Sequence, residues 1–267
     1  MAKVCVLGFG RMGKLIVKML LASGHKVVAV VDAPGSPDVG KDAGMLAGVQ
    51  ETGIIVSGSD KLEETLKKTK PDVVVDFTQA KACMGNLSAV ARAKADIVIG
   101  TTGFTDEQKR EIEATVKKGN IGAVLSPNMS VGVNAYWKLV SEAAKILSGY
   151  DVEIIEAHHR FKKDAPSGTA LKTAEVVCEA QGKSLKEAGV YGRRGEAPRK
   201  EGEIGIHAIR AGDIVGEHTI LFSTLGERVE VTHRAHSREA FVSGVVKAVD
   251  FVAGKKGFYS MKDVLGL

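Results

Sequence analysis

Cysteine, proline and aromatic residues are all sparse here: three, six and 5% respectively in a chain of 267 residues. Cys5, Cys83 and Cys178 are an odd number without disulfide-framework or metal-ligand spacing, so no metal site is expected. Cys5 falls in an apolar strand-like run and Cys178 on the apolar side of a helix-like one, which fits small buried hydrophobes better than ligands or nucleophiles. No stretch of about 18 apolar residues is present to span a bilayer. Met1-Ala2-Lys3 runs directly into Val4-Cys5-Val6-Leu7 with no secretory pattern, so a reduced, cytoplasmic setting is expected. Lys+Arg 37 against Asp+Glu 32 leaves +5. That surplus is too small and dispersed for a nucleic-acid surface, and no helix-turn-helix or extended basic face accompanies it. Repeats and low-complexity segments are missing too. What remains, at 44% hydrophobic residues, is a globular chain with core enough for one large domain or two modest ones.

The first third alternates strand and helix signals. Val4–Leu7, Val27–Val31, Val73–Phe77, Ile97–Ile99 and Ile121–Leu125 are short apolar runs. Between them lie the amphipathic stretch around Leu15, Ile16, Met19 and Leu20, then Lys61–Lys68, Leu87–Ala95 and Asp106–Lys118. Continuous apolar strands alternating with helices predict a parallel sheet covered on both faces, an α/β fold of Rossmann type. Beyond Pro127 the rhythm changes. Val133–Leu147 and Ser167–Ala180 read as helices and Val152–Ala157 as a strand. Three alternating runs follow, Glu203–Ala211, Glu217–Ser223 and Arg228–Arg234, with turns at Gly212-Asp213 and Gly226-Glu227. They predict a second, α+β domain with an open mixed sheet. Tyr191–Glu203 reads as an exposed loop, and Arg238–Ala253 as a final helix. The expected division is 1–128 with 238–267 for the nucleotide domain and 129–237 for substrate binding and oligomerisation, with hinges near Asn128–Val131 and His236–Arg238.

Gly8-Phe9-Gly10-Arg11-Met12-Gly13 follows the first strand and opens the first helix. The first glycine permits the tight turn, the second admits a pyrophosphate to the backbone, and the third lets helix and strand pack closely. Asp32 ends the second strand about twenty residues on, placed to accept from ribose hydroxyls and to repel a 2′-phosphate. Ala33 follows where an arginine would help hold that phosphate, so NADH is favoured, with NADPH open through Arg11. Asp32 also suits a turn. Gly100-Thr101-Thr102-Gly103 and Ser126-Pro127-Asn128-Met129 both follow strands, at the sheet edge where ligands of open α/β folds collect; each equally fits a plain turn.

The densest chemistry lies in the run from Glu156 to Ala170, EAHHRFKKDAPSGTA. His158, His159, Arg160, Lys162 and Lys163 precede Ser167, a good N-cap, and the first-turn amides of Gly168 and Thr169 point where an anion would sit. Cations concentrated beside a helix N-terminus suit a small dicarboxylate, while a solvated basic loop before a well-capped helix is the blander alternative. Histidine and lysine together can move protons near neutral pH.

The Glu156–Ala170 run, with Gly8–Gly13, Gly100–Phe104, Asn128–Asn134, Arg210–Thr219 and the ending Met261–Leu265, resembles the dihydrodipicolinate reductase family over essentially the whole chain. The resemblance implies NAD(P)H-dependent reduction of a dihydrodipicolinate precursor to tetrahydrodipicolinate, in lysine and diaminopimelate biosynthesis. It implies His158 as proton donor/acceptor and Lys162 as proton-donating lysine. His159, Lys162 and Ser167-Gly168-Thr169 would hold the carboxylates. Gly8–Gly13, Asp32, Gly100–Thr102 and Ser126–Met129 would contact the nicotinamide cofactor. It further implies a homotetramer. Two other readings are a different NAD-dependent two-domain amino-acid dehydrogenase and a non-catalytic NADH-responsive regulator.

Overall fold

The apolar runs near the start of the chain become parallel strands joined by helices. β1 (Lys3–Leu7), α1 (Arg11–Ala22), β2 (Lys26–Asp32), α2 (Ala43–Leu46), β3 (Ser57–Gly58), α3 (Leu62–Thr69), β4 (Val73–Asp76), α4 (Ala80–Arg92), β5 (Asp96–Ile99), α5 (Asp106–Gly119) and β6 (Gly122–Leu125) follow in order. Then come α6 (Val131–Ile146), β7 (Asp151–His158), α7 (Gly168–Gln181), α8 (Leu185–Ala188), β8 (Gly189–Tyr191), β9 (Ile204–Arg210), β10 (Gly216–Thr224) and β11 (Glu227–Ala235), and finally α9 (Glu239–Val252), β12 (Gly257–Tyr259) and α10 (Met261–Leu265). The computed structural model describes residues 1–267. Contacts divide the chain into Met1–Ser130 with Phe241–Leu267, and Val131–Ala240.

The first unit holds a seven-stranded parallel sheet in the order β12-β6-β5-β4-β1-β2-β3. Successive residues of β1 serve opposite layers, as strand geometry requires. Val4 and Val6 pack with Ile16 and Leu20 of α1 and Val245 and Val249 of α9, whereas Cys5 and Leu7 pack with Leu66, Leu87, Val90 and Ile112. Burial on both faces explains why these strands are apolar without alternation. β1 pairs in parallel with both β2 and β4, so the strand order reverses at the β1/β4 boundary, where such sheets open a crevice at their carboxyl ends. α4 starts at Ala80, well before the large apolar residues of Leu87–Ala95, because its first turns carry mainly small residues: Ala80, Ala82, Cys83 and Gly85. It stops at Arg92, and Lys94 turns left-handed at φ +58°.

The second unit carries a five-stranded sheet in the order β11-β10-β7-β9-β8. One face packs Ile154, Ile206, Ile220 and Phe222 against Trp137, Val140, Ala174 and Val177 of α6 and α7. On the other face Ile155 and Ile209 remain 36% and 47% exposed. β10 and β11 form the expected hairpin. β9 and β10, although consecutive, do not pair: β7 lies between them, parallel to β9 and antiparallel to β10. The segment after β9 crosses the end of β7 instead of turning tightly. There the Ala211 amide donates to His158 O at 3.0 Å and the Arg160 amide to Gly212 O at 3.1 Å. Tyr191–Glu203 is an exposed loop once Tyr191 has ended β8, but ion pairs fasten it. Tyr191 belongs to β8, Arg193 reaches Glu203 at 2.6 Å, and Arg199 pairs with Asp151 at 2.8 Å and with Glu153.

Candidate active site

The glycine turn after β1 has the geometry its sequence requires. Gly8 sits at φ +86°, and a Cβ there would lie 2.6 Å from Phe77 O; one on Gly13 would lie 2.0 Å from Gly8 O. Around Gly10 nothing comes within 4 Å of the Cβ position, which leaves room for a ligand against the backbone. Gly10 is also the N-cap of α1 and gives no side-chain cap, so the first-turn amides face outward as an anion site. A cleft of about 470 Å³ opens here, bounded by Gly8, Gly10, Asp32, Ala33, Thr78 and Asn86. An open glycine, uncapped amides and a carboxylate at the end of β2 fit the pyrophosphate and ribose of a dinucleotide.

Other residues expected here are placed differently. Phe9 and Met129 are buried in the core and Met12 packs against it, so toward a ligand they offer only backbone. Arg11 and Thr102 are exposed. Thr101, beside Gly100, is buried and its hydroxyl donates to Asp76 at 3.0 Å. In Ser126-Pro127-Asn128 the Ser126 hydroxyl donates to Asn128 O at 2.8 Å and the Asn128 amide donates back, which makes a self-bonded turn.

In the second unit the histidine run is organised by a residue that the sequence reading did not single out. Glu156 and His158 lie two apart on β7 and share a face. Glu156 is wholly buried, and its carboxylate gathers donors from three segments. His158 Nδ1 lies 2.6 Å from Oε2; Arg210, at the end of β9, donates its fork at 2.8 and 2.7 Å; and the Ser167 amide donates to Oε1 at 2.9 Å. Burial alone would raise this carboxyl, but the bonds from His158, Arg210 and Ser167 outweigh it and bring its pKa down to about 2. The anion fixes the His158 proton on Nδ1 and frees Nε2 for chemistry.

His218, opposite Glu156 on β10, sets its ring 5.2 Å from that of His158, edge to face. Its Nε2 lies 3.0 Å from Ser167 Oγ, which also accepts from the Ala170 amide and so caps α7. Burial pushes the His218 pKa down to about 3 and keeps the ring neutral. The loop after β7 is tied down by Arg210, which donates to Asp164 O at 2.6 Å. Asp164 in turn holds the Lys162 ammonium at 2.8 Å. Lys162 is half-buried and Lys163 exposed. His159 Nδ1, Arg210 Nε and His218 Nδ1 are buried without a protein partner.

The Ser167 amide is thus committed to Glu156, and Gly168 opens α7 directly after it. A carboxylate two residues before a strand histidine is a signal that could have exposed Glu156. Arg210 and His218, some fifty to sixty residues downstream, are marked only by lying in the Arg210–Thr219 stretch that carries the family resemblance.

Both titrations act in one sense on stability. With native values of about 2 for Glu156 and about 3 for His218 against ordinary values of 4.5 and 6.5, the unfolded chain binds more protons in between, so stability falls as pH falls. The Tm is expected to decline from about pH 6.5 downward. His218→Asn should flatten the upper part of that decline in melts from pH 7 to 4; an unchanged slope would refute the assignment.

A Rossmann-type nucleotide unit accompanied by a mixed-sheet unit that gathers cations around a buried carboxylate defines a two-unit nicotinamide-dependent oxidoreductase. No helix is long and apolar enough to cross a membrane. Residues 2–129 match the family model for the dihydrodipicolinate reductase N-terminus, and residues 132–265 that for its C-terminus. The chain belongs to the dihydrodipicolinate reductase family. Relatives named 4-hydroxy-tetrahydrodipicolinate reductase include that of Methanocaldococcus jannaschii, 51% identical over 100% of this chain and 98% of its own. That of Methanosarcina mazei is 52% identical over 100% of both chains. Among solved structures, dipicolinate-bound dihydrodipicolinate reductase from Paenisporosarcina sp. TG-14 superposes with TM-score 0.77 at 29% identity, covering 97% of each chain. An amine dehydrogenase from Mycobacterium smegmatis, TM-score 0.64 at 16% identity over 98% of this chain and 95% of its own, shares the fold.

Proposed function

We propose that this chain is a 4-hydroxy-tetrahydrodipicolinate reductase that reduces the dihydrodipicolinate precursor to tetrahydrodipicolinate, with the first unit holding the coenzyme and the second the substrate. The observation that carries this reading is buried Glu156 gathering His158, Arg210 and the Ser167 amide at the N-terminus of α7, with His159 and the Asp164-held Lys162 on the loop that follows β7. It suits a compact dianion, and the similar Paenisporosarcina enzyme is a dipicolinate complex. His159, Lys162 and the amides of Gly168 and Thr169 take the two carboxylates. The glycine turn Gly8–Gly13 and Asp32 would hold a reduced nicotinamide dinucleotide, which would supply the hydride for the ring carbon that becomes C4 of the product. Lys162 gives a proton to the adjacent carbon, and His158 polarises the ring through the Nε2 that Glu156 leaves free. A coupled assay with the synthase product tests the reading: NADH or NADPH consumption is expected, and binding of coenzyme without turnover would overturn it.

The Asp32-Ala33 pair on the cleft wall favours NADH, since a carboxylate accepts ribose hydroxyls and repels a 2′-phosphate. Ala33→Arg is expected to raise kcat/KM for NADPH roughly tenfold by pairing with that phosphate; no rise would place the adenosine elsewhere. The open sheet face around Ile155 and Ile209 supports a homotetramer formed through it. Light scattering that reports a monomer would refute this.

A further inference from the structure

Asp76 ends β4 and is wholly buried, yet its hydrogen bonds all come from neutral donors. Oδ1 accepts from the Thr78 amide at 3.0 Å, the Thr78 hydroxyl at 2.6 Å and the Thr101 hydroxyl at 3.0 Å. Oδ2 accepts from Asn86 Nδ2 at 3.1 Å. A buried carboxylate is costly unless several donors converge on it. These donors come from three places: the loop after β4, the middle of α4, and the turn after β5. Thr78 and Asn86 also border the 470 Å³ cleft.

The neighbouring residue completes the interlock. A Cβ on Gly100 would fall 2.1 Å from the Phe77 ring, and one on Gly8 would fall 2.6 Å from Phe77 O. The loops after β1, β4 and β5 therefore meet at Asp76-Phe77, and only Asp76 bonds to side chains from all the segments on the β4 side of the cleft. None of the other anchored carboxylates of this unit has such a position: Asp96 accepts from the Gly122 and Gly254 amides, at the opposite end of its strand.

We infer that Asp76 is a positioning residue for the coenzyme: its carboxylate fixes the loop after β4, the Asn86 side chain and the Thr101 turn, so that the cleft wall is set before the dinucleotide arrives. The inference rests on reading this cleft as the coenzyme site. Binding then costs less ordering of the protein, and the benefit lies in coenzyme affinity rather than in the chemical step.

Asp76→Asn keeps the shape and changes one acceptor into a donor. With its oxygen still toward Thr78 and Thr101, its new amide faces Asn86, whose carboxamide must turn its oxygen inward and so re-orient the side chain at the cleft wall. Thr101→Val removes one donor from the carboxylate and leaves the cleft lining intact. NADH binding is measured by calorimetry on the full-length wild type and both variants, alongside thermal melts and steady-state kinetics. For D76N, Kd and KM for NADH are expected to rise roughly tenfold, and for T101V about threefold. With saturating NADH, kcat should stay within about twofold, and KM for the dicarboxylate should not move. A lower Tm with unchanged Kd in both variants would make Asp76 a packing residue and overturn the inference. If D76N fails to fold, T101V decides alone, an unchanged Kd counting against it. Wild type that binds neither NADH nor NADPH would bring down the reading of the cleft, and this inference with it; tight wild-type binding with unaltered variants brings down the inference only.

Discussion

Lys162→Ala is expected to lower turnover by at least about 10²-fold while NADH affinity stays nearly constant. The residue is half-buried, and its ammonium is held 2.8 Å from Asp164, a carboxylate whose own backbone is fastened to Arg210. The ammonium therefore has a fixed position at the edge of the histidine cluster, which a general acid needs if it is to meet a carbon rather than water. Truncation removes both the proton and one of the charges that hold the substrate, so KM for the dicarboxylate should rise as kcat falls. Lys163 offers the control. It follows directly in sequence but is exposed, and Lys163→Ala should be mild. A larger loss at Lys163 than at Lys162, in the coupled assay with saturating coenzyme, would move the proton donor one residue along.

The second large effect is expected at Glu156, which touches no solvent. Glu156→Gln retains the volume but gives Arg210, the Ser167 amide and His158 one acceptor oxygen where there were two. If the new amide turns to Arg210 or Ser167, donor meets donor inside the protein. If it turns to His158, the imidazole proton must leave Nδ1 for Nε2, the nitrogen that the reaction needs free. Either way a buried charge network loses its anion, and destabilisation of about 3 kcal/mol is expected in denaturant melts. Turnover is expected to fall by roughly 10²-fold or more through the wrong tautomer and the released loop. Normal turnover in a destabilised E156Q protein would show that the carboxylate serves only the fold.

Much of this was legible in the sequence, for reasons tied to particular residues. β1, β2, β4, β5 and β6 are apolar without alternation between their end residues because they are covered on both faces, and burial of that kind leaves an unmistakable run. The glycines of the first turn announce their geometry because no other residue fits at Gly8 or Gly13. β3, β8 and β12 escaped because strands of two or three residues are too short to show a period. The pairing of β7 between β9 and β10 escaped for a deeper reason: a glycine turn marks where a chain bends, not which strand it rejoins. At the site, the local run supplied His158, His159, Lys162 and Ser167. Arg210 and His218 come to it only through sheet pairing, and no spacing rule connects them to Glu156.

The route of the chain from β9 to β10 over the end of β7 has one more consequence. A synthetic peptide of residues 156–170 would contain both histidines, both lysines and the capping serine, yet would lack the guanidinium fork, the second imidazole ring and the covering backbone at Ala211–Gly212 that hold them in place. Reactivity here is a property of strand order. Transplanting the histidine–lysine segment into another protein would carry over its composition without its acid–base behaviour, unless three adjacent strands in the same arrangement went with it.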